Sequence, residues 1–369
     1  MCRVWGVGMS KASDLFAKGF STVDELRTPE GTGQLNRLQK LGLKYHEDLI
    51  LRIPRDEITA MVELIREVAE SVVADKTGLR VVGVGSYRRG KKESGDCDVL
   101  VSHTDGVSHV GLLEKLVEHL TASGFLRERL TDGRGKQEKS AEEEKTHTRT
   151  TQANGGKYMG ICLLEPKGGS ATSSMGLRPR HRHVDIFTCP DDQWAAALLT
   201  TTGSDMHNRS MRHWCAQMGL ALSEKALAPA QREERGCYVD NKYTNNKLFV
   251  GKAIPVQTER DIYDVLGLVY KEPHERNGKV EHKKLEDWDS PFVGYWLECA
   301  VMLPEYKQRF ASQGIDGAAL AAMRAGELVE VGVESAHLDQ LMRERDRAAR
   351  GDLNSWYRRF RRVGGGGFT

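Results

Sequence analysis

Two aspartates stand two residues apart in Gly95-Asp96-Cys97-Asp98, just after the loop Gly85-Ser86-Tyr87-Arg88-Arg89-Gly90-Lys91. On a strand, positions i and i+2 share a face, so Asp96 and Asp98 point the same way and Cys97 points away into packing. Carboxylates that close repel unless a cation lies between them. Hard divalent ions such as Mg²⁺ prefer carboxylate, water and phosphate oxygens. A third carboxylate from another strand completes a two-metal site for in-line displacement at phosphorus. Asp185, in the apolar run His183-Val184-Asp185-Ile186-Phe187, is the candidate, because an unpaired Asp is costly there. Upstream, Gly85 and Ser86 offer N–H groups and a hydroxyl to phosphate oxygens, and Arg89 a charge-assisted fork. A solitary Asp-x-Asp is more often a solvated turn. Its position behind a phosphate-type loop favours a site, since separate features then serve one chemistry.

These residues need a sheet and helices to hold them. Ile58, Met61, Val62, Ile65, Val68 and Ala69 recur near helical spacing and predict a helix over 54–74. β-branched runs at 79–84 and 98–101 predict strands, as do 157–164 and 183–188; 109–121 reads as a helix, and 4–20 as a short helix beside a Gly-Val-Gly turn. Residues 131–157 carry many charges and no periodicity and read as a long exposed loop; 166–182 is a second irregular stretch. Helices are expected to dominate after Asp191, apart from strand and turn near 236–256. From about Ser290, Trp296, Tyr306, Phe310, Ile315, Leu320, Leu328, Val333 and Leu341 recur at spacings suited to several short packed helices.

Composition narrows the setting. The 369 residues suffice for several domains, and 54 basic against 52 acidic residues leave a net charge of +2, so any nucleic-acid surface must be local. Seven cysteines without a Cys-x-x-Cys pair argue for reduced thiols and against a disulfide framework or zinc site. No apolar run reaches membrane-spanning length, and no signal peptide is expected at the amino terminus; MCRVWGVG reads as the middle of a fold.

Gly85-Ser86…Arg88-Arg89-Gly90…Gly95-Asp96-x-Asp98 resembles the nucleotidyltransferase signature of family X DNA polymerases. In sequence order, Val4-Trp5-Gly6-Val7-Gly8 resembles the fingers helix-hairpin-helix, Arg52-Ile53-Pro54-Arg55 the entry to the palm, and Thr202-Gly203-Ser204-Asp205…Asn208-Arg209-Ser210-Met211-Arg212 the nucleotide-binding thumb motif. Leu222-Ser223-Glu224 and Tyr270-Lys271-Glu272-Pro273 resemble later thumb segments. The resemblance implies an α+β fold: helix-hairpin-helix fingers (1–55), a nucleotidyltransferase palm with a mixed β-sheet (56–190) and a mainly helical thumb (191–289). It implies gap-filling DNA synthesis in base excision repair or end joining. Asp96, Asp98 and Asp185 would be catalytic and hold two Mg²⁺, with Mn²⁺ as a substitute. Arg55, Gly85, Ser86, Arg89, Gly95, Asp205 and Asn208 would bind the deoxynucleoside triphosphate. Gly6, Val7 and Gly8 would grip gapped or broken duplex DNA through a monovalent cation. Arg212 would touch the template strand, with Glu224 holding it when the thumb is open. A nuclear location follows, with a mitochondrial one left open.

The chain departs from the family in several places. Thr200 and Thr201 stand where the family has an aromatic pair, which implies weaker sugar discrimination; His183 stands where an Arg orients the third carboxylate. The amino-terminal lyase domain has no counterpart, so no removal of 5′-deoxyribose phosphate is expected. The insertion at 131–157 falls where the end-joining branch carries a longer loop, which implies tolerance of broken templates. Residues 290–349 resemble a small all-α sterile alpha motif (SAM) domain, whose work would be binding another such domain or self-association, and 350–369 form a basic, Gly-rich tail. Two rival readings are a weakened polymerase-like scaffold acting through its SAM domain and a nucleotidyltransferase on RNA ends.

Overall fold

The computed structural model describes residues 1–130, 155–165, 179–232, 237–239, 242–244 and 247–351. The charged segment 131–154, most of 166–182 and the Arg cluster at 358–362 lie outside these. The chain divides into two compact units, Met1–Asp191 and Asp192–Thr369. No helix among the described residues is long and apolar enough to cross a membrane.

The first unit opens with short helices: α1 (Met9–Ala17), α2 (Pro29–Gly33), α3 (Arg37–Lys44) and α4 (His46–Leu49). Asn36 and Gln39 cap α3 reciprocally, satisfying two of the N–H groups a helix start leaves open. Val4, Val7, Leu15, Leu26, Leu35 and Leu43 form a small core of their own. The long helix α5 (Arg55–Val72) buries Ile58, Met61, Val62, Ile65 and Ala69 as one stripe, and Asp56 and Glu57 in its first turn suit the positive end of the helix.

Beyond α5 comes a five-stranded sheet. It consists of β2 (Leu79–Gly83), β4 (Cys97–His103), β5 (Leu126–Arg129), β6 (Gly156–Leu163) and β7 (His181–Thr188), in the order β2-β4-β7-β6-β5. Only β4 and β7 run parallel. A small pair, β1 (Ile53–Pro54) with β3 (Glu93–Ser94), ties the start of α5 to the loop before β4. α5 and α7 (Leu112–Ala122) share one core with Val99, Val101, Val184, Ile186, Tyr158 and Cys162. Period-two alternation therefore sends Asp98 and Asp185 to the other face. Cys97 is fully buried in that core, as its place between the aspartates predicts.

Several elements differ from the sequence reading. The loop Gly85–Arg88 is a helical turn, α6, and Leu126–Arg129 is a strand. In the second unit, strands begin well before 236: β8 (Leu220–Leu222), β9 (Leu227–Arg232), β10 (Cys237–Val239), β11 (Lys242–Thr244) and β12 (Lys247–Val250). Leu220 to Leu222 is buried at every position, so the alternation that announces a half-exposed strand is missing.

The second unit carries α8 (Trp194–Thr202), α9 (Asp205–Gln217) and α10 (Glu259–Val265), then five helices from Ser290: α11 (Ser290–Trp296), α12 (Lys307–Ser312), α13 (Gly317–Ala322), α14 (Ala325–Glu330) and α15 (Ser335–Ala349). The carboxy-terminal helices share a continuous core with the preceding ones, from Ala195 and Leu199 through Trp288 and Trp296 to Leu328 and Ala348. Asp316 caps α13 by accepting from the Ala319 N–H at 2.8 Å. Gly317 is required there, because a Cβ would collide with the Leu285 carbonyl.

Candidate active site

The parallel register pairs Asp98 with Asp185 directly across β4 and β7. Asp96 lies in the bend just before β4 and is exposed. Asp98 is pushed well above the usual carboxylate range, first by burial, then by the charges of Asp96 and Asp185; Lys157 and Arg89 oppose the rise. Burial likewise lifts Asp185 to about 6, against the pull of Lys157. Asp98 and Asp185 thus share the sheet face opposite the α5 and α7 core, and the charge of Asp96, from the bend before β4, bears on both. Among the described residues no three acidic, His or Cys side chains already stand in metal-ligand geometry. The donor set still fits hard divalent cations: all-oxygen carboxyl groups, two on adjacent strands and one in the bend before them, whose mutual repulsion a cation would relieve.

The preceding loop is built around these carboxylates. The Val84 N–H donates to the Asp98 carbonyl at 2.8 Å. Gly85 adopts φ +57, and a Cβ there would collide with Asp98 Oδ2, so both conformation and space demand glycine. Ser86 Oγ donates to Ser94 Oγ at 2.7 Å, fixing the hydroxyl within the turn. Arg89 is half-buried; burial pulls its guanidinium below its ordinary value, while Asp98 and Asp96 hold it up. Arg55 donates to the Tyr87 carbonyl at 2.8 Å and stacks over the Tyr87 ring at 4.2 Å, so it braces the loop. A Cβ on Gly95 would meet Arg52 Nη1 at 3.1 Å. Arg52 is an exposed cation at the loop that residue types alone did not single out.

Two further residues escaped the sequence reading. Lys157 Nζ stands 3.8 Å from Asp185 Oδ2. Arg182 is buried and binds Glu57 bidentately at 2.7 and 2.8 Å, fastening β7 to α5. It faces the core side of β7, opposite Asp185, while His183 keeps the site face. His183 is tilted against Trp5 with ring centroids 5.9 Å apart. Burial lowers its pKa, and Asp96 opposes this. A groove lined by Arg3, Trp5, Gly6, Gly8 and His183 runs between the hairpin and β7; the carboxylates do not line it.

Within the hairpin, the Gly6 carbonyl accepts from Gln39 Nε2 at 3.0 Å. The Val7 side chain is buried in the small core and its N–H donates to the Val4 carbonyl at 3.0 Å, so its carbonyl is the group that would serve a cation there. Gly8 sits at the N-cap of α1.

In the second unit, Ser204 caps α9 and its N–H donates to the Arg276 carbonyl at 3.2 Å. Asn208 Nδ2 donates to the Thr200 carbonyl at 2.7 Å. The Thr200 and Thr201 hydroxyls turn back to the Ala196 and Ala197 carbonyls and present no flat apolar surface. Asp205 pairs with Arg209 at 2.6 Å in an exposed position. Arg212 and Glu224 are both exposed and do not pair with each other here. Beneath the motif, Arg276 is fully buried and binds Glu259 at 2.6 Å. His207 Nε2 shares a buried hydrogen bond of 2.7 Å with Tyr263 Oη.

Family comparison matches residues 52–191 to the DNA polymerase beta palm, 197–277 to the DNA polymerase beta thumb, 1–50 to the fingers domain of DNA polymerase lambda and 285–346 to the sterile alpha motif domain. The chain is 35% identical to DNA polymerase lambda of Rattus norvegicus over 276 residues, which is 74% of this chain and 41% of that protein. It is 35% identical to DNA polymerase lambda of Arabidopsis thaliana over 277 residues, 74% of this chain and 45% of that protein. It therefore spans less than half the length of these curated relatives. Fingers, palm and thumb matches follow in chain order, the palm match containing the sheet that aligns Asp98 with Asp185, and the chain belongs to the family X DNA polymerases, of the lambda and beta type, with a carboxy-terminal SAM domain.

Proposed function

We propose that this chain is a DNA-directed DNA polymerase that adds deoxynucleotides to a primer 3′-hydroxyl in short-gap repair or end joining. The observation that carries this reading is the parallel register of Asp98 with Asp185 on the sheet face opposite the helices' core, with the charge of Asp96 acting on both. Asp96, Asp98 and Asp185 would hold two divalent cations, Mg²⁺ by preference. When bound, these supply charge neutralisation for the attacking and leaving oxygens. The polypeptide's own share is positioning. Gly85 and Ser86 present the turn to the triphosphate, Arg89 and Arg52 add positive charge, and Arg55 keeps the loop shaped. Gly95 leaves the backbone approachable. Gly6, Val7 and Gly8 offer backbone to a duplex through a monovalent cation.

The thumb roles of Asp205, Asn208, Arg212 and Glu224, the division into fingers, palm, thumb and SAM domain at 55, 190 and 289, a nuclear setting, and SAM pairing with another such domain belong to the same proposal. With Thr200 and Thr201 presenting folded-back hydroxyls, discrimination against ribonucleotides is expected to be weak. The test is extension of a one-nucleotide-gapped DNA duplex beside a single-stranded RNA 3′ end. Extension of the DNA by either sugar type supports the reading. Addition to the RNA alone would move the chain to the RNA-end class, and no addition to either would favour the scaffold reading.

A further inference from the structure

Among the described residues, Lys157 is the basic side chain that pairs with the third carboxylate, and neither the phosphate loop nor the thumb motif includes it. It lies on β6, whose register places Lys157 opposite Phe187 and Met159 opposite Asp185. Its ammonium therefore has two neighbours on one sheet face. Asp185 Oδ2 is 3.8 Å away, and the Phe187 ring centroid is 4.8 Å away. The ion-pair distance is too long for a strong charge-assisted hydrogen bond, so the contact is mainly Coulombic and easily released. An aromatic face holds an ammonium weakly but without demanding a counter-charge. Asp185 is mostly covered whereas Lys157 is half exposed, at 14% and 47% of their side-chain surfaces, so the lysine is the partner free to move.

We propose that Lys157 is the resident counter-ion of the carboxylate cluster, and that it withdraws onto Phe187 when divalent cations take over its charge role. It thereby raises the metal concentration that the site requires. The inference rests on the metal-site reading above and adds a residue of this chain that competes with the metal. Removing a positive charge from a cation site tightens cation binding, and removing the ring that receives the displaced ammonium weakens it. The two substitutions thus act in opposite directions, which general damage to the fold does not do.

The test is Mn²⁺ binding to the full chain without DNA, followed by the electron paramagnetic resonance signal of free Mn²⁺ at pH 8 and low ionic strength. Lys157→Met is expected to bind Mn²⁺ roughly three- to tenfold more tightly than wild type. Lys157→Arg should bind as wild type does, and Phe187→Leu about two- to fivefold more weakly. Added salt should shrink the Lys157→Met effect. Binding by Lys157→Met no tighter than wild type, with Asp185→Asn still weakened, overturns the counter-ion role alone. Undiminished binding by Asp185→Asn removes the metal site itself, and this proposal with it.

Discussion

Asp185 is held in the sheet at a cost, and the sign of that cost is measurable. Burial raises the pKa of its carboxyl to about 6 in the folded chain from an ordinary 3.8. The folded state therefore binds the proton more tightly than the unfolded state, and stability falls as pH rises from about 4 to about 6. The shift corresponds to roughly 2–3 kcal/mol. In chelator-treated protein, Asp185→Asn should be more stable than wild type at pH 7 by about that amount, with the gap closing below pH 4; urea unfolding across this range checks it. Equal stability at pH 7 would mean that the carboxylate is better solvated than the register implies. The aspartates were legible because spacing two on a strand is read directly from sequence. Lys157 and Arg182 were not, because each acts through a partner that only strand register or a separation of 125 residues brings near.

The thumb motif shows the same division between what is local and what is tertiary. The helix cap at Ser204 can be read from residue types, but the supports beneath α9 cannot. Arg276 and Glu259 form a buried pair, and such a pair is far costlier to break than to replace with apolar groups. Arg276→Met alone should destabilise the second unit by about 3–5 kcal/mol. Arg276→Met with Glu259→Leu should recover most of that loss; a double variant as unstable as the single one contradicts this. His207 adds a pH term. Burial holds it at about 4, below its ordinary 6.5, so it favours folding above about 6.5 and loses that contribution as pH falls toward 4. The loss is worth roughly 3 kcal/mol, and His207→Leu should flatten the unfolding profile over that interval. Strand β8 was missed because a short strand buried at each position has no alternation to read.

Across the whole chain, the carboxy-terminal helices are built into the thumb as well as following it. The Phe292 ring fills the space beside Gly267, and Tyr295 Oη donates to the Met218 carbonyl at 3.1 Å. The Gly317 N–H donates to the Trp288 carbonyl at 2.8 Å. Sequence spacing gave the helices of this region, while their union with the thumb depends on these long-range contacts. A chain ending at 289 would expose apolar surface of that shared core, so its thumb is expected to melt earlier and less cooperatively than in the full chain. Unchanged melting of the 192–289 region in calorimetry would show the SAM domain to be independent. The proposed chemistry lies in the first unit, where Asp98 and Asp185 stand side by side on one sheet face with Asp96 in the bend before β4. The most direct test is single-nucleotide extension of gapped DNA in Mg²⁺ by wild type and Asp185→Ala, with folding verified for both. Wild type should extend the primer and Asp185→Ala should be slower by roughly 10²–10³-fold or more; extension by the folded variant at the wild-type rate would contradict the site.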